Sequence, residues 1–279
     1  MAPEELERVT LVSGDVTRLD QVERVLDEHE ITNVVHLAAL QIPFCRDDPV
    51  RGAQVNVVGT VNVFEAAKRR RDRVTGVVYA SSAAKYGAGD AGEAARDEQA
   101  RARPSTHYGV YKQANEGTAR IYWQDDGVPS IGVRPYIVYG PARDQGLTAT
   151  PTEAMLAAAR GEGFHIPYGG RYLYNYAPDV ARMLVTASRA CREGAVAANV
   201  PGTVVGMDEV VAAIETAAPE VAGKITFDDV RLPFPSELAT GALEQAVGPV
   251  RVTPFGDGVR ETIAHFRAGL GLRDAAAPA

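Results

Sequence analysis

Gly76-Val77-Val78-Tyr79-Ala80-Ser81-Ser82 is a short apolar run that ends in two hydroxyls. Such a run, without polar alternation, reads as a strand covered on both faces of a parallel sheet. Further along, His107-Tyr108-Gly109-Val110-Tyr111-Lys112 opens what the pattern predicts as a helix over residues 106–126. Positions i and i+4 of a helix share a face, so Tyr108 and Lys112 point the same way. A phenol gives up its proton near pH ~10. An ammonium close by favours the phenolate and lowers that value. The pair is therefore a candidate general acid/base for a sugar or alcohol hydroxyl. Open α/β sheets place their sites just past the carboxyl ends of the strands, where a serine could hold the substrate oxygen. Each half has a plainer reading. A lone Tyr-x-x-x-Lys is more often a solvated lysine beside a half-buried tyrosine, and Ser81 and Ser82 equally well end a strand and begin a turn.

Working outward, strand and helix alternate. Val9–Val12 reads as a short strand and residues 20–28 as a helix. A strand follows over 32–37, a helix over 54–71, and a strand at Ser130–Arg134 after the Tyr108 helix. That alternation is the signature of a doubly wound parallel sheet, an α/β fold. Past Pro141 the pattern changes. Helices are predicted near 151–160, 179–191, 207–217 and 257–270, with a loop at 165–170 and an aromatic run at 171–176. The division is residues 1–145 for the first domain and 146–279 for a smaller α/β lobe interleaved with it.

The composition is that of a globular chain: 46% hydrophobic and 23% charged residues, with a net charge of −7. The acidic balance argues against nucleic acid or an anionic membrane as partner. Cys45 and Cys191 lack metal-ligand spacing, no metal is predicted, and free thiols in a cytoplasmic setting are the default. The amino-terminal residues do not read as a signal peptide, and no apolar run reaches the length of a membrane span. His36, inside an apolar strand, reads as a core histidine. His165, near Arg171 and the tyrosines, is a weaker candidate for substrate contact. Tyr172, Tyr174 and Tyr176 read as core aromatics before they read as a sugar-stacking platform.

Several blocks in order resemble the extended short-chain dehydrogenase/reductase family, the NAD-dependent epimerases and dehydratases. They are Ser13-Gly14-Asp15-Val16, His36-Leu37-Ala38-Ala39, Asn56-Val57-Val58-Gly59-Thr60, Tyr79 to Gly87, Tyr108 to Lys112, and Arg134 to Pro141. The resemblance implies a Rossmann-like fold, a catalytic set of Ser82, Tyr108 and Lys112, and an NAD or NADP cofactor, with NAD favoured. It implies cofactor contacts from Asp15, Val16, Ala38, Ala39, Asn56, Ser81, Tyr108, Lys112 and Pro135. By the same resemblance Lys112 would hold the nicotinamide ribose and lower the Tyr108 pKa. The substrate would be a sugar or nucleotide sugar, and the chain a homodimer. An epimerase, a dehydratase and a simple dehydrogenase stay open. So does a non-catalytic binding or assembly protein.

Two departures go with the resemblance. No Gly-rich strand-to-helix turn, the usual pyrophosphate cradle, precedes Asp15, so the sheet is expected to be truncated at its amino-terminal side. Gly87-Ala88-Gly89-Asp90-Ala91-Gly92 matches G-x-G-x-x-G only as a string and reads as a loop. In the second lobe, an arginine usual before the aromatic run is absent, and Arg171 is displaced by one position. This weakens the expectation of a diphosphate ligand.

Overall fold

Four parallel strands form the first sheet: Asn33–His36 (β1), Gly76–Ala80 (β2), Ser130–Arg134 (β3) and, from much later in the chain, Ala195–Asn199. The computed structural model describes residues 7–87 and 98–272. The sheet order places β1 at one edge and Ala195–Asn199 at the other, with β2 and β3 between them. Both β2 and β3 are buried along their length apart from the half-buried Ala80, as their unbroken apolar character requires.

The sheet separates two cores. On one face Val77 and Tyr79 pack with Leu26, Val63, Phe64 and Ala119. These come from the helices Leu19–Glu28 (α1), Gly59–Lys68 and His107–Asp126. On the other face Val78, Ile131 and Val133 meet Val180, Met183, Leu184 and Leu243. Alternate residues of one strand thus serve opposite layers. The stretch before Gly59–Lys68 is irregular. Ile42–Asp47 (α2) and Pro49–Ala53 (α3) lead into a π turn at Gln54–Val58, which continues into Gly59–Lys68 (α4). His107–Asp126 is α5.

The second lobe is built on Ile137–Tyr139 (β4), Phe164–Ile166 (β5), Arg171–Tyr176 (β6) and Thr203–Gly206, with Ala195–Asn199 numbered β7 and Thr203–Gly206 β8. β4 runs parallel to β6, and β8 runs antiparallel to it. Thr150–Ala159 (α6), Ala177–Ala190 (α7), Met207–Ala217 (α8), Ala242–Val247 (α9) and Phe255–Gly269 (α10) complete the helices used below. Tyr172, Tyr174 and Tyr176 lie in the apolar core of this lobe with Tyr139, Met155, Val210 and Ile263. They are therefore core residues and not a stacking surface.

The structure departs from the sequence reading in places. Val9–Val12 is not a strand; among the described residues it has no ladder partner, and Leu11 is 75% exposed. The loop expected at 165–170 begins inside β5, which pairs with Ile225–Phe227 (β9). Three- and four-residue strands such as β4 and β8 are too short to show a period. Most of the Gly87–Gly92 string lies outside the described residues. Gly87 itself has φ 69°, and a Cβ there would lie 1.8 Å from the Arg103 carbonyl oxygen.

Candidate active site

Ser82 stands immediately past β2. Its Oγ accepts the Ala84 amide at 3.1 Å and caps the short 3-10 turn Ala83–Tyr86. The same hydroxyl lies near enough to the Tyr108 phenol to pull its pKa down against the larger effect of burial. Ser82 thus starts the turn, as one of its two readings had it, with Tyr108 nearby. An accepted amide bond leaves its proton free to donate to an oxygen in front of it.

The first turn of α5 is held against that Ser82 turn. Thr106 caps the helix, its Oγ1 accepting the Gly109 amide at 3.1 Å. Gly109 is buried, and a Cβ there would sit 2.6 Å from the Ala84 carbonyl oxygen and 2.9 Å from Pro104. The absent side chain is what lets the helix approach closely enough for Tyr108 to reach Ser82.

Lys112 lies one turn on, buried, with Nζ 5.4 Å from the centroid of the Tyr108 ring. Its ammonium donates to the Ala80 carbonyl at 2.6 Å. An ammonium has three donors, and this is its one hydrogen bond among the described residues. Burial lowers its pKa to about 8. The expectation that Lys112 makes Tyr108 more acidic is not met. Burial is the largest influence on the phenol and pushes its pKa up, against smaller opposing effects of Ser82 and Arg143. The low-dielectric pocket that holds both groups works against charge on either.

The other predicted contacts divide. Ala38, exposed, and Ala39, half-buried, follow the end of β1 and leave their backbone accessible. Asp15 is exposed and makes a tight turn, accepting the Thr17 amide at 2.9 Å. Val16 packs toward Gly59 and gives its carbonyl to Asn62 Nδ2 at 2.9 Å. Pro135 is half-buried, and its carbonyl accepts the Ala83 amide at 3.1 Å, beside the Ser82 turn.

Two assignments need correction. The Ser81 hydroxyl does not line the cleft. It donates to Glu116 Oε1 at 2.6 Å and is buried, because alternation along β2 sends it to the opposite side from Ser82. The Asn56 amide is committed to the chain itself. It accepts the Leu40 amide at 2.7 Å and donates to the Leu40 carbonyl at 2.9 Å, so it shapes the loop after β1 and has no reach left for a ligand. His36 is the core histidine expected, with Nε2 3.1 Å from Thr60 Oγ1. His165 is exposed and meets Asp228 at 3.1 Å and Thr226 at 2.8 Å.

Sequence reasoning missed Glu116. It sits on α5 one turn beyond Lys112 and receives Arg134 in a two-pronged ion pair, Nε at 2.6 Å and Nη2 at 2.8 Å. Lys85 adds a contact at 3.3 Å. Arg134 in turn reaches Tyr86 Oη at 3.0 Å and the Glu98 carbonyl at 2.9 Å. The signal was the i, i+4 continuation from Lys112, but its partners are remote in the chain. Arg143 was also missed. It contacts Gln41 and Thr148 and lies within electrostatic range of Tyr108.

The arrangement can exchange a proton at a hydroxyl while holding that oxygen. It also fits the nicotinamide-ribose half of a dinucleotide: a buried ammonium with unused donors, small residues along the loop after β1, and a phenol beside a serine.

Comparison with known proteins bears on the fold and the family. The fold is shared with UDP-glucose 4-epimerase of Thermotoga maritima, solved with UDP-glucose: TM-score 0.83, 22% identity, 96% of this chain and 88% of that one covered. The Thermus thermophilus UDP-glucose 4-epimerase in complex with NAD gives a TM-score of 0.74 at 27% identity, covering 91% and 83%. In sequence, UDP-glucuronate 4-epimerase 2 of Arabidopsis thaliana is 31% identical over 137 residues, 48% of this chain and 30% of that protein. The chain spans 30% to 40% of the length of the first such relatives. A family model matches residues 1–200, which hold the strand tip, the tyrosine helix and the turn between them. On that match and that geometry, the chain belongs to the NAD dependent epimerase/dehydratase family.

Proposed function

We propose that the protein is a nicotinamide-dependent oxidoreductase of the epimerase or dehydratase type, acting on a hydroxyl of a sugar or nucleotide sugar. The observation that carries this reading is the Ser82 hydroxyl beside the Tyr108 phenol, with Lys112 buried one helical turn behind. The cofactor, when bound, supplies the hydride acceptor. Ser82 donates to the substrate oxygen and orients it. Tyr108 takes the hydroxyl proton and later returns it. Lys112 uses its remaining donors on the ribose hydroxyls, and its charge then stands ready to stabilise the phenolate as it forms. To act as the base, Tyr108 first gives its own proton to solvent, and the Lys112 ammonium, 5.4 Å from its ring centroid, favours the phenolate that then accepts the substrate proton.

NAD is favoured over NADP, a cytoplasmic setting is proposed, and the two domains are proposed to divide near residue 145. The test is titration with NAD+ and with NADP+, followed by turnover assays on UDP-glucose and UDP-glucuronate. Wild type binds NAD+ and converts one of the sugars. Tyr108→Phe lowers kcat by about 10² to 10⁴, the usual range for a lost general acid/base, while its circular dichroism is unchanged. A Tyr108→Phe variant with wild-type kcat removes this reading. Cofactor that stays bound through purification favours an epimerase. Turnover of added NAD+ favours a dehydrogenase.

A further inference from the structure

The chain has four lysines, and two are buried: Lys112, in the site, and Lys85. Lys85 lies on the 3-10 turn Ala83–Tyr86 that Ser82 caps. Its Nζ donates to Glu116 Oε2 at 3.3 Å and stands 4.8 Å from the centroid of the Tyr86 ring. Glu116 has partners enough without it. Arg134 meets both oxygens of that carboxylate, and the Ser81 hydroxyl donates to one of them. Arg134 and Glu116 are a matched pair of charges, so Lys85 is a second cation on one carboxylate. Burial lowers its pKa, against the opposing pull of Glu116 and with Arg134 adding to the effect. A charge taken out of water in this way weakens the fold and calls for a reason.

The place of that charge supplies one. Contacts to α5 bracket Ser82 on both sides. Before it, the Ala80 carbonyl accepts Lys112 Nζ at 2.6 Å, and Ser81 Oγ donates to Glu116 Oε1 at 2.6 Å. After it, the Ala84 carbonyl lies against Gly109, where a Cβ would stand 2.6 Å away, and Lys85 reaches Glu116. Tyr108, Lys112 and Glu116 follow one another at i, i+4 and i+8 along that helix, so they share a face. Lys85 is the tie made by a side chain of the turn itself.

We propose that Lys85 is a positioning residue: its bond to Glu116 sets the distance between the turn that carries Ser82 and the helix that carries Tyr108. The inference rests on the proposed pairing of those two groups in proton transfer. It separates stability from placement. Removing the Lys85 charge leaves Arg134 and Glu116 paired, so the fold loses nothing that it needs, whereas the turn loses its hold on the helix. A structural lysine would behave in the opposite way.

The experiment compares wild type, Lys85→Met, Lys85→Arg, Tyr108→Phe and the double variant Lys85→Met with Tyr108→Phe. Methionine keeps an unbranched side chain and removes the charge. The readouts are the urea midpoint, the 13C NMR signal of Tyr108 in chain labelled at tyrosine Cζ, and kcat and KM with UDP-glucose and NAD+. The Tyr108 signal is the one that Tyr108→Phe lacks. Lys85→Met keeps or raises the midpoint, moves the Tyr108 signal, and lowers kcat at least about tenfold with KM unchanged, as for a small misplacement of reacting groups. Lys85→Arg restores the signal and kcat. In the Tyr108→Phe background Lys85→Met costs no further kcat. An unmoved Tyr108 signal overturns the proposal, and with a lowered midpoint it makes Lys85 a structural residue. An equal loss of kcat in both backgrounds overturns it as well. If Tyr108→Phe turns over like wild type, the acid/base reading fails, and the signal and the midpoint alone decide the placement of the turn. The same two readouts decide it if wild type leaves UDP-glucose unchanged.

Discussion

Tyr108 is half-buried and His36 buried, and desolvation moves the two in opposite directions. For Tyr108 it favours the neutral phenol by raising the pKa. For His36 it favours the neutral imidazole, lowering the pKa from 6.5 to about 4, with Lys112 adding to the effect. The Thr60 hydroxyl donates to the Asn56 carbonyl at 2.7 Å, so it accepts from His36, which places the imidazole proton on Nε2. The consequence for stability has a definite sign. Below pH 6.5 the unfolded chain protonates this histidine and the folded chain does not, so folding is weakened steadily down to about pH 4. The full loss is about 3 kcal/mol. Urea denaturation of wild type and His36→Gln across that window checks it: the difference between them should change by roughly that amount. Parallel curves would exclude it. At this scale the sequence was informative where chemistry follows spacing, as for Ser82, Tyr108 and Lys112. It was silent on Glu116 because Arg134 and Ser81, the groups it binds, lie far away in the chain.

At the scale of elements, α5 is joined to two strand ends at once. Glu116 binds Ser81 after β2 and Arg134 at the end of β3. It therefore fixes how far the tyrosine helix stands from the serine. Arg134 is 3% exposed, so truncating Glu116 leaves a buried, uncompensated charge. Glu116→Ala is expected to cost about 3–5 kcal/mol, measured by chemical denaturation, and Glu116→Gln less. A loss under ~1 kcal/mol, the value of an exposed pair, would show that water reaches the site. Gly109 tests the approach from the other side. Gly109→Ala improves intrinsic helix propensity by up to ~1 kcal/mol, yet its Cβ meets the Ala84 carbonyl. The expected result is a kcat reduced at least about tenfold, as for a small misplacement of reacting groups, while far-ultraviolet circular dichroism is retained. Unchanged kcat would mean that the helix tolerates the shift. The helix itself was legible in the sequence over residues 106–126, close to the observed His107–Asp126. The contact that seats it was not, because a glycine inside a helix does not announce what it touches.

For the whole molecule, the alternation of strand and helix gave the doubly wound sheet, and the break in pattern after Pro141 marked the second lobe. The sequence order did not reveal that β7 returns to the first sheet or that β4 joins the second, since pairing over such distances leaves no local period. A feature at this scale concerns assembly. Val58, Val110 and Ile121 are each near half exposed on the π turn and on α5, the pair of elements that pack together behind the site. We propose that these apolar residues meet their counterparts in a homodimer. Light scattering should give twice the chain mass, and Ile121→Glu with Val110→Glu should return it to the monomer. A wild-type monomer at micromolar concentration would rule this out.

The π turn at Gln54–Val58 carries a consequence of its own. An α-helix with one residue more than its ladder can accommodate bulges there, and the bulge contains Asn56. Removing a single residue from the turn would restore regular winding and rotate Asn56 by roughly 100° about the helix axis. Leu40 would lose both of its bonds to Asn56 and keep the Cys45 thiol on its carbonyl, so the peptide carrying Ala38 and Ala39 would be held less firmly. The loop proposed to face the dinucleotide is thus propped by a local defect in winding, and a more regular helix would loosen it.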